Sequence, residues 1–308
     1  MIEKDSKIYI AGHRGMVGSA IWRALEKKGY GNLIGKTSGE LDLRNQNAVS
    51  EFFSKETPEI VIDAAARVGG ILANNTYPYP FLMENLQIQN NLIDAAHKYE
   101  AEKFIFLGSS CIYPKLSPQP IKEDYLLTSS LEPTNEWYAI AKIAGVKACE
   151  AIRKQYDKDF VSLMPTNLYG PYDNFDLKTS HVLPAMLRKF HEAKENEHAD
   201  VVLWGSGTPL REFLHVDDMA DAVAFTLEEK LPGHLYNVGT GSDLSIKDLA
   251  ELIQKIVGHK GKIVWDSSKP DGTPRKLMDV SKMESLGWKA GIGLEEGIRD
   301  TYRWFVNN

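Results

Sequence analysis

Three glycines spaced three apart, Gly12, Gly15 and Gly18, follow the apolar run Lys7–Ala11 and open a stretch of helical periodicity through Val17 to about Lys28. No other feature constrains the fold as tightly. The first glycine permits a turn too tight for a side chain. The second lets a ligand approach bare backbone, and the third lets the helix lie close on the strand. A helix start also presents unpaired amide donors and partial positive charge, which suits phosphate. A glycine triplet alone also describes an ordinary turn. Here it sits after the first strand and at the head of a helix, which favours a dinucleotide pyrophosphate as ligand.

The rest of the first half fits that reading. Apolar runs predict strands at Asn32–Ile34, Glu59–Ala65, Lys103–Leu107 and Phe160–Met164. Helical stretches at Gln46–Phe53, Pro80–Glu100 and Glu136–Tyr156 lie between them. Continuous apolar strands alternating with helices predict a parallel sheet covered on both faces. With the glycine turn, that is an α/β, Rossmann-type doubly wound fold. After about residue 170 the rhythm changes. A turn-rich break, Gly170-Pro171-Tyr172-Asp173-Asn174, precedes helices at His181–Lys194, Asp217–Glu228 and Ser245–Ile256 mixed with isolated strands. We expect a cofactor-binding domain over residues 1–170. A smaller mixed α/β lobe over 171–308 is expected to be predominantly substrate-binding, with some chain crossing between the two.

The net charge of −6 argues against a nucleic-acid partner, which usually demands a basic face. No run approaches the roughly 18 apolar residues of a membrane span. The stretch Met1–Ser6 has no basic-then-apolar signal pattern, so a cytoplasmic protein is expected. Cys111 and Cys149 suggest neither a disulfide framework nor a zinc site. His13, His97, His191, His198, His234 and His259 have no partner pattern, and no metal site is expected.

The nicotinamide type turns on the segment after the second strand, Ile34–Ser38. NAD binders commonly place Asp or Glu there for the ribose 2′-hydroxyl. Here no acid stands directly after the strand, whereas Lys36 does, and Arg14 adds a second cation inside the glycine loop. Both would suit a 2′-phosphate, so NADP is expected, although Lys36 could simply be solvated. Asp42 could line the adenine pocket.

Tyr138 and Lys142 lie four apart on one helical face. A lysine beside a phenol favours the phenolate, and such a tyrosine can exchange a proton with a carbinol oxygen. Tyr99 and Lys103 share the spacing but straddle a helix end and a strand start. Ser109 directly follows the strand Lys103–Leu107, at the sheet end where open α/β folds bind ligands. Ser109, Tyr138 and Lys142 together resemble the catalytic set of the extended short-chain dehydrogenases/reductases.

Longer stretches resemble one family within that superfamily, the GDP-L-fucose synthases. They are Ala65–Asn75, Gly108-Ser109-Ser110-Cys111-Ile112-Tyr113-Pro114, Pro165–Pro171, Asn174-Phe175, Ser180-His181-Val182, Trp204–Pro209, Arg211–Asp218 and Lys269–Lys276. The family epimerises carbons 3 and 5 of GDP-4-keto-6-deoxy-D-mannose and then reduces carbon 4 with NADPH. The resemblance implies that Cys111 and His181 serve as acid and base for epimerisation. Ser109 and Tyr138 would polarise the ketone, and Lys142 would tune Tyr138 and hold the nicotinamide ribose. It also implies cofactor contacts at Gly12, Arg14, Gly15, Met16, Val17, Gly18, Lys36, Ser38, Asp42, Leu43, Ala65, Leu107, Gly108, Pro165, Asn167, Leu168 and His181. Substrate contacts would fall on Lys189, Trp204, Arg211 and Asp271, with Lys276 nearby. Relatives often carry arginine where this chain has Lys189 and Ser38. Ser38 would leave the 2′-phosphate with fewer cations. The resemblance further implies a homodimer paired through the two long helices.

Rival readings stay open at this level. A dehydratase of the same fold typically has an Asp-Glu pair where Ser110-Cys111 stands here. A simple 4-epimerase or reductase would give Cys111 and His181 no role. A silent NADP sensor has no reason to keep the Ser–Tyr–Lys set.

Overall fold

The computed structural model describes residues 2–197, 199–269 and 271–308. Met1, His198 and Pro270, the last within the Lys269–Lys276 stretch, lie outside the described residues. The first half runs β1 (Ile8–Ala11), α1 (Met16–Lys27), β2 (Leu33–Ile34), α2 (Gln46–Glu56), β3 (Ile60–Asp63), α3 (Ile71–Thr76) and α4 (Pro78–Lys98). It continues through β4 (Lys103–Leu107), α5 (Glu136–Tyr156), β5 (Asp159–Pro165) and β6 (Asn167–Tyr169). The second half holds α6 (Val182–Glu195), β7 (Val201–Trp204), β8 (Leu210–Arg211), β9 (Phe213–His215), α7 (Val216–Glu228) and β10 (Leu235–Val238). It ends with β11 (Leu244–Ser245), α8 (Ile246–Val257), β12 (Ile263–Asp266), β13 (Arg275–Lys276), α9 (Ser281–Ser285) and α10 (Leu294–Asn307).

Six parallel strands form the central sheet in the order β10-β5-β4-β3-β1-β2. The order reverses at β1: β2 lies on one side of it and β3 on the other. The two crossovers therefore run on opposite faces. Strand residues alternate between two cores. Ile8, Ile10, Ile60, Ile62 and Ile105 meet α1 and α7. Tyr9, Val61, Phe104 and Phe106 meet α2, α4 and α5. This is the expected doubly wound layering. A third core joins α6, α8 and α10 through Leu187, Phe190, Ile253 and Ile298.

The sheet register fixes the working edge. Asp63 stands opposite Phe106, and Leu107 opposite Leu163. The chain leaves β1, β3 and β4 at Gly12, Ala64 and Gly108, side by side. Ala64 and Ala65, expected within a strand, leave the ladder, and the Ala65 amide donates to the Asp63 carboxylate at 3.1 Å. Helix α4 starts at Pro78, two residues before the expected Pro80, because proline lacks only an amide that the first turn leaves unpaired anyway. Strand β10, unforeseen, enters from the second half and closes the sheet beside β5.

Phe104 is fully buried and stacks on Phe160 at 5.2 Å between ring centroids. Phe104→Ala is expected to lower stability by about 3–5 kcal/mol in urea unfolding. A loss below about 1 kcal/mol would contradict this account of the core.

Candidate active site

The glycine turn has the shape a pyrophosphate needs. Gly12 has φ +76°, and a Cβ there would lie 2.7 Å from the Ala64 carbonyl oxygen. A Cβ at Gly18 would run into the Gly12 carbonyl. Gly15 faces only the Gly12 oxygen, at 3.4 Å, and caps α1 without a side-chain cap. The first turn of α1, which includes Met16 and Val17, holds no acid. Its amides are therefore free to face an anion. Arg14 and Ser38 are exposed and Lys36 is half-buried.

An acid does stand near the two cations. Glu40 accepts from the Thr37 amide at 2.8 Å and the Thr37 hydroxyl at 2.7 Å. That hydroxyl first, then the amide, with Lys36 and Arg14 adding, hold its carboxyl below the usual range. Asp42 is engaged by Arg44 through two bonds of 2.9 Å. Leu43 is half-buried, and its carbonyl accepts from Asn91 at 2.8 Å.

Ser109 caps the short turn Ser110–Ile112, its hydroxyl accepting from the Cys111 amide at 3.3 Å. Tyr138, in the first turn of α5, reaches the Ser109 hydroxyl, and its ring meets Phe81 edge-on at 6.3 Å. One turn on, Lys142 is buried. Its ammonium donates to the Leu107 carbonyl at 2.8 Å and lies 4.6 Å from the Phe106 ring centroid. The phenol differs from the sequence expectation. Burial pushes it well above its ordinary value, Cys111 and Asp63 add to this, and Ser109 opposes it. The Lys142 ammonium is 6.0 Å from the Tyr138 ring centroid and turned toward Leu107. Burial therefore favours the protonated phenol. Tyr99 and Lys103 are separated: Tyr99 meets Ser50 at 2.8 Å, and Lys103 pairs with Asp159 at 3.1 Å.

Cys111 is buried, which raises its thiol; Lys276, Ser109 and Lys142 pull it back. His181 caps α6 at the cleft mouth. Its ring is solvent-accessible yet crowded by protein, and that desolvation, then Lys276, lowers its pKa. Lys276 is itself lowered by burial and by Arg211, and raised by Cys111. Lys276 stands beside Arg211 across the β8–β13 ladder, and its charge acts on both Cys111 and His181. A loop contact closes this side: the Gly70 amide donates to the Thr179 carbonyl at 3.0 Å, and a Cβ at Gly70 would meet the Ser180 oxygen at 2.9 Å. Cys149, by contrast, is a core residue, fully buried against the sheet.

The remaining expected contacts line the second lobe. Trp204 is 60% exposed, with the Lys269 ammonium 5.6 Å from its ring. Asp271 is exposed and accepts from the Ser206 amide at 2.6 Å and the Ser206 hydroxyl at 2.9 Å. Lys189 donates to the Val202 carbonyl at 2.9 Å. Arg211 is half-buried and donates to the Leu210 carbonyl at 2.7 Å. Asn167 donates to the Glu212 carbonyl at 2.8 Å, Leu168 is half-buried, and Pro165 ends β5. Among the described residues no group of three His, Cys, Asp or Glu is placed to hold a metal.

Two residues were missed from sequence. Glu212 is fully buried and accepts from the Thr240, Gly241 and Met278 amides at 2.7, 2.8 and 2.9 Å, locking the second lobe beside Arg211. Asp63 is fully buried at the end of β3. Its signal was an acid closing an otherwise apolar run.

Comparison with known proteins identifies the family. A profile of the NAD dependent epimerase/dehydratase family matches residues 8–239. GDP-L-fucose synthase 1 of Arabidopsis thaliana is 58% identical over 308 residues, covering 100% of this chain and 95% of that protein. A GDP-mannoheptose C4 reductase structure from Campylobacter jejuni with NADP bound is 41% identical, with TM-score 0.92 over 99% of this chain and 100% of that one. A GDP-L-fucose synthetase structure from Naegleria fowleri bound to NADP is 28% identical, with TM-score 0.90 over 100% of this chain and 96% of that one. The chain belongs to the NAD dependent epimerase/dehydratase family and, within it, to the GDP-L-fucose synthases.

The Lys276 charge makes a direct expectation. Lys276→Met should move the Cys111 thiol further up and slow its alkylation by iodoacetamide at pH 8 several-fold, since only the thiolate reacts. Peptide mass spectrometry separates Cys111 from Cys149. An unchanged Cys111 rate would contradict the grouping.

Proposed function

We propose that this chain converts GDP-4-keto-6-deoxy-D-mannose to GDP-L-fucose, epimerising carbons 3 and 5 and then reducing carbon 4. It is an NADP-dependent enzyme. The observation that carries the reading is that Ser109 and Cys111 share one turn at the end of β4, the Ser109 hydroxyl accepting from the Cys111 amide at 3.3 Å, beside the strand whose Leu107 carbonyl accepts from Lys142 at 2.8 Å. Ser109, Tyr138 and Lys142 suit reduction of a ketone. Cys111 and His181, both acted on by the Lys276 charge, suit proton exchange beside that ketone.

The proposed chemistry runs as follows. Ser109 and Tyr138 hydrogen-bond the carbon 4 oxygen and make the neighbouring C–H bonds acidic. One of Cys111 and His181 takes the proton from carbon 3 or 5, and the electron pair passes into the ketone as an enolate. The other returns a proton to the opposite face. NADPH, when bound, supplies the hydride that adds to carbon 4. The carbonyl electron pair then moves onto oxygen, and Tyr138 gives that oxygen its proton. Gly12, Gly15, Met16, Val17 and Gly18 hold the pyrophosphate, and Arg14, Lys36 and Ser38 the 2′-phosphate. Lys189, Trp204, Arg211 and Asp271 take the GDP portion.

Residues 1–170, completed by α7 and β10, act as the NADP-binding unit, and the remainder of 171–308 acts as the substrate lobe. The separate core around α6, α8 and α10 supports this division. We also infer a homodimer formed through α4 and α5, since Tyr79 near the start of α4 and Trp137 and Ile140 near the start of α5 expose 71%, 43% and 38% of their surface. The enzyme is assigned to the cytoplasm, in keeping with its two free cysteines.

The purified protein should oxidise NADPH with the keto-sugar nucleotide and yield GDP-L-fucose. Tyr138→Phe should lower that rate by about 10²–10⁴-fold. Cys111→Ser should still oxidise NADPH but release an unepimerised 6-deoxyhexose nucleotide. GDP-L-fucose from the Cys111→Ser protein at the wild-type rate would remove Cys111 from the mechanism.

A further inference from the structure

Asp63 lies beneath this site, and no step above uses it. It is the last residue of β3, at the sheet edge where Gly12 and Ser109 also lie. It is fully buried, and one carboxylate oxygen accepts from the Ala65 amide at 3.1 Å. The other has no hydrogen-bond partner among the described residues. An unpaired buried carboxylate is costly and is retained only where something compensates for it. Asp63 stands opposite Phe106 in the β3–β4 register, and the Lys142 ammonium lies 4.6 Å from the Phe106 ring, so carboxylate and ammonium share one face of the sheet; the Asp63 charge also acts on Tyr9, Tyr138 and Cys149. Of these only Lys142 is a cation. Its ammonium can donate three hydrogen bonds, and one goes to Leu107.

We propose that Asp63 is a positioning residue for the reduction step, acting through Lys142 as the buried counter-charge that keeps the ammonium in place below Tyr138. This rests on the Ser109–Tyr138–Lys142 reading given above. The electrostatics agree with the placement. Burial is what lowers Lys142, and Asp63 is the first group opposing it. Asp63 also helps raise the Tyr138 phenol. Burial lifts Asp63 itself to about 6, with Lys142 and the Ala65 amide opposing. Above that pH an ionised Asp63 therefore favours both proton-holding forms: the Lys142 ammonium and the Tyr138 phenol.

The test is the pH profile of kcat/KM for keto-sugar reduction by the full-length enzyme with NADPH. Asp63→Asn keeps the shape and still accepts from Ala65. It is expected to shift the alkaline fall in rate about one unit toward acid, the variant becoming up to about tenfold slower than wild type once the pH exceeds both midpoints. Below pH 5, where Asp63 is protonated, the two should agree within about twofold. Asp63→Glu should restore part of the alkaline limb. Superimposable alkaline limbs for wild type and Asp63→Asn, whatever the change in Tm, would overturn the proposal and leave Asp63 a structural residue. Wild-type turnover, and its loss in Tyr138→Phe, check the parent reading separately. An inactive wild type would overturn both.

Discussion

The buried Lys142 ammonium is the constraint around which the site is organised. A cation in an apolar interior is tolerated only with close partners. Here the partners come from the sheet edge: the Leu107 carbonyl at 2.8 Å and the Phe106 ring at 4.6 Å. Both belong to β4, whose register is set by β3 on one side and β5 on the other. Fixing Lys142 fixes the first turn of α5, and Tyr138 is carried to Ser109 at the end of the same strand. The close approach of α5 to the sheet also depends on Gly145, where a Cβ would run into the Phe106 ring.

A second amine, Lys276, organises the other half of the chemistry. It arrives on β13, which pairs with β8, so it stands beside Arg211. Its charge lowers both the Cys111 thiol and the His181 imidazole. Burial raises the thiol, and Lys276 partly offsets that. Desolvation, and then the same charge, lower the His181 imidazole below its ordinary value. On the proposed reading the thiol serves as acid and the imidazole as base.

The fold was legible where strands were continuous apolar runs. β1, β3, β4 and β5 could be located to within about two residues, as could α5 and the glycine turn. β10 was not legible, because its buried Asn237 looks like a loop residue. Its partners, the Tyr113 hydroxyl at 2.6 Å and the Ile121 carbonyl at 2.9 Å, come from more than a hundred residues away. Glu212 was hidden for the same reason. Alternation in Arg211-Glu212-Phe213 suggests an exposed acid, yet three distant amides bury it. The pattern placed Tyr138 inside α5 but not the effect of burial on its proton affinity, because the Tyr–Lys spacing carries no account of burial. Local pattern reports periodicity and turn chemistry. Desolvation and long-range pairing appear only once the chain is folded.

The central claim is that one cleft exchanges protons at carbons 3 and 5 independently of reduction. Solvent exchange tests it most directly. GDP-4-keto-6-deoxy-D-mannose would be incubated with the enzyme in D₂O without NADPH and examined by mass spectrometry. Wild type should incorporate up to two deuterons per sugar. Cys111→Ser should incorporate them far more slowly, while Tyr138→Phe keeps measurable exchange because a thiol and an imidazole still flank the ketone. An enzyme that oxidises NADPH but incorporates no deuterium would contradict the account and leave the cleft a site for reduction alone.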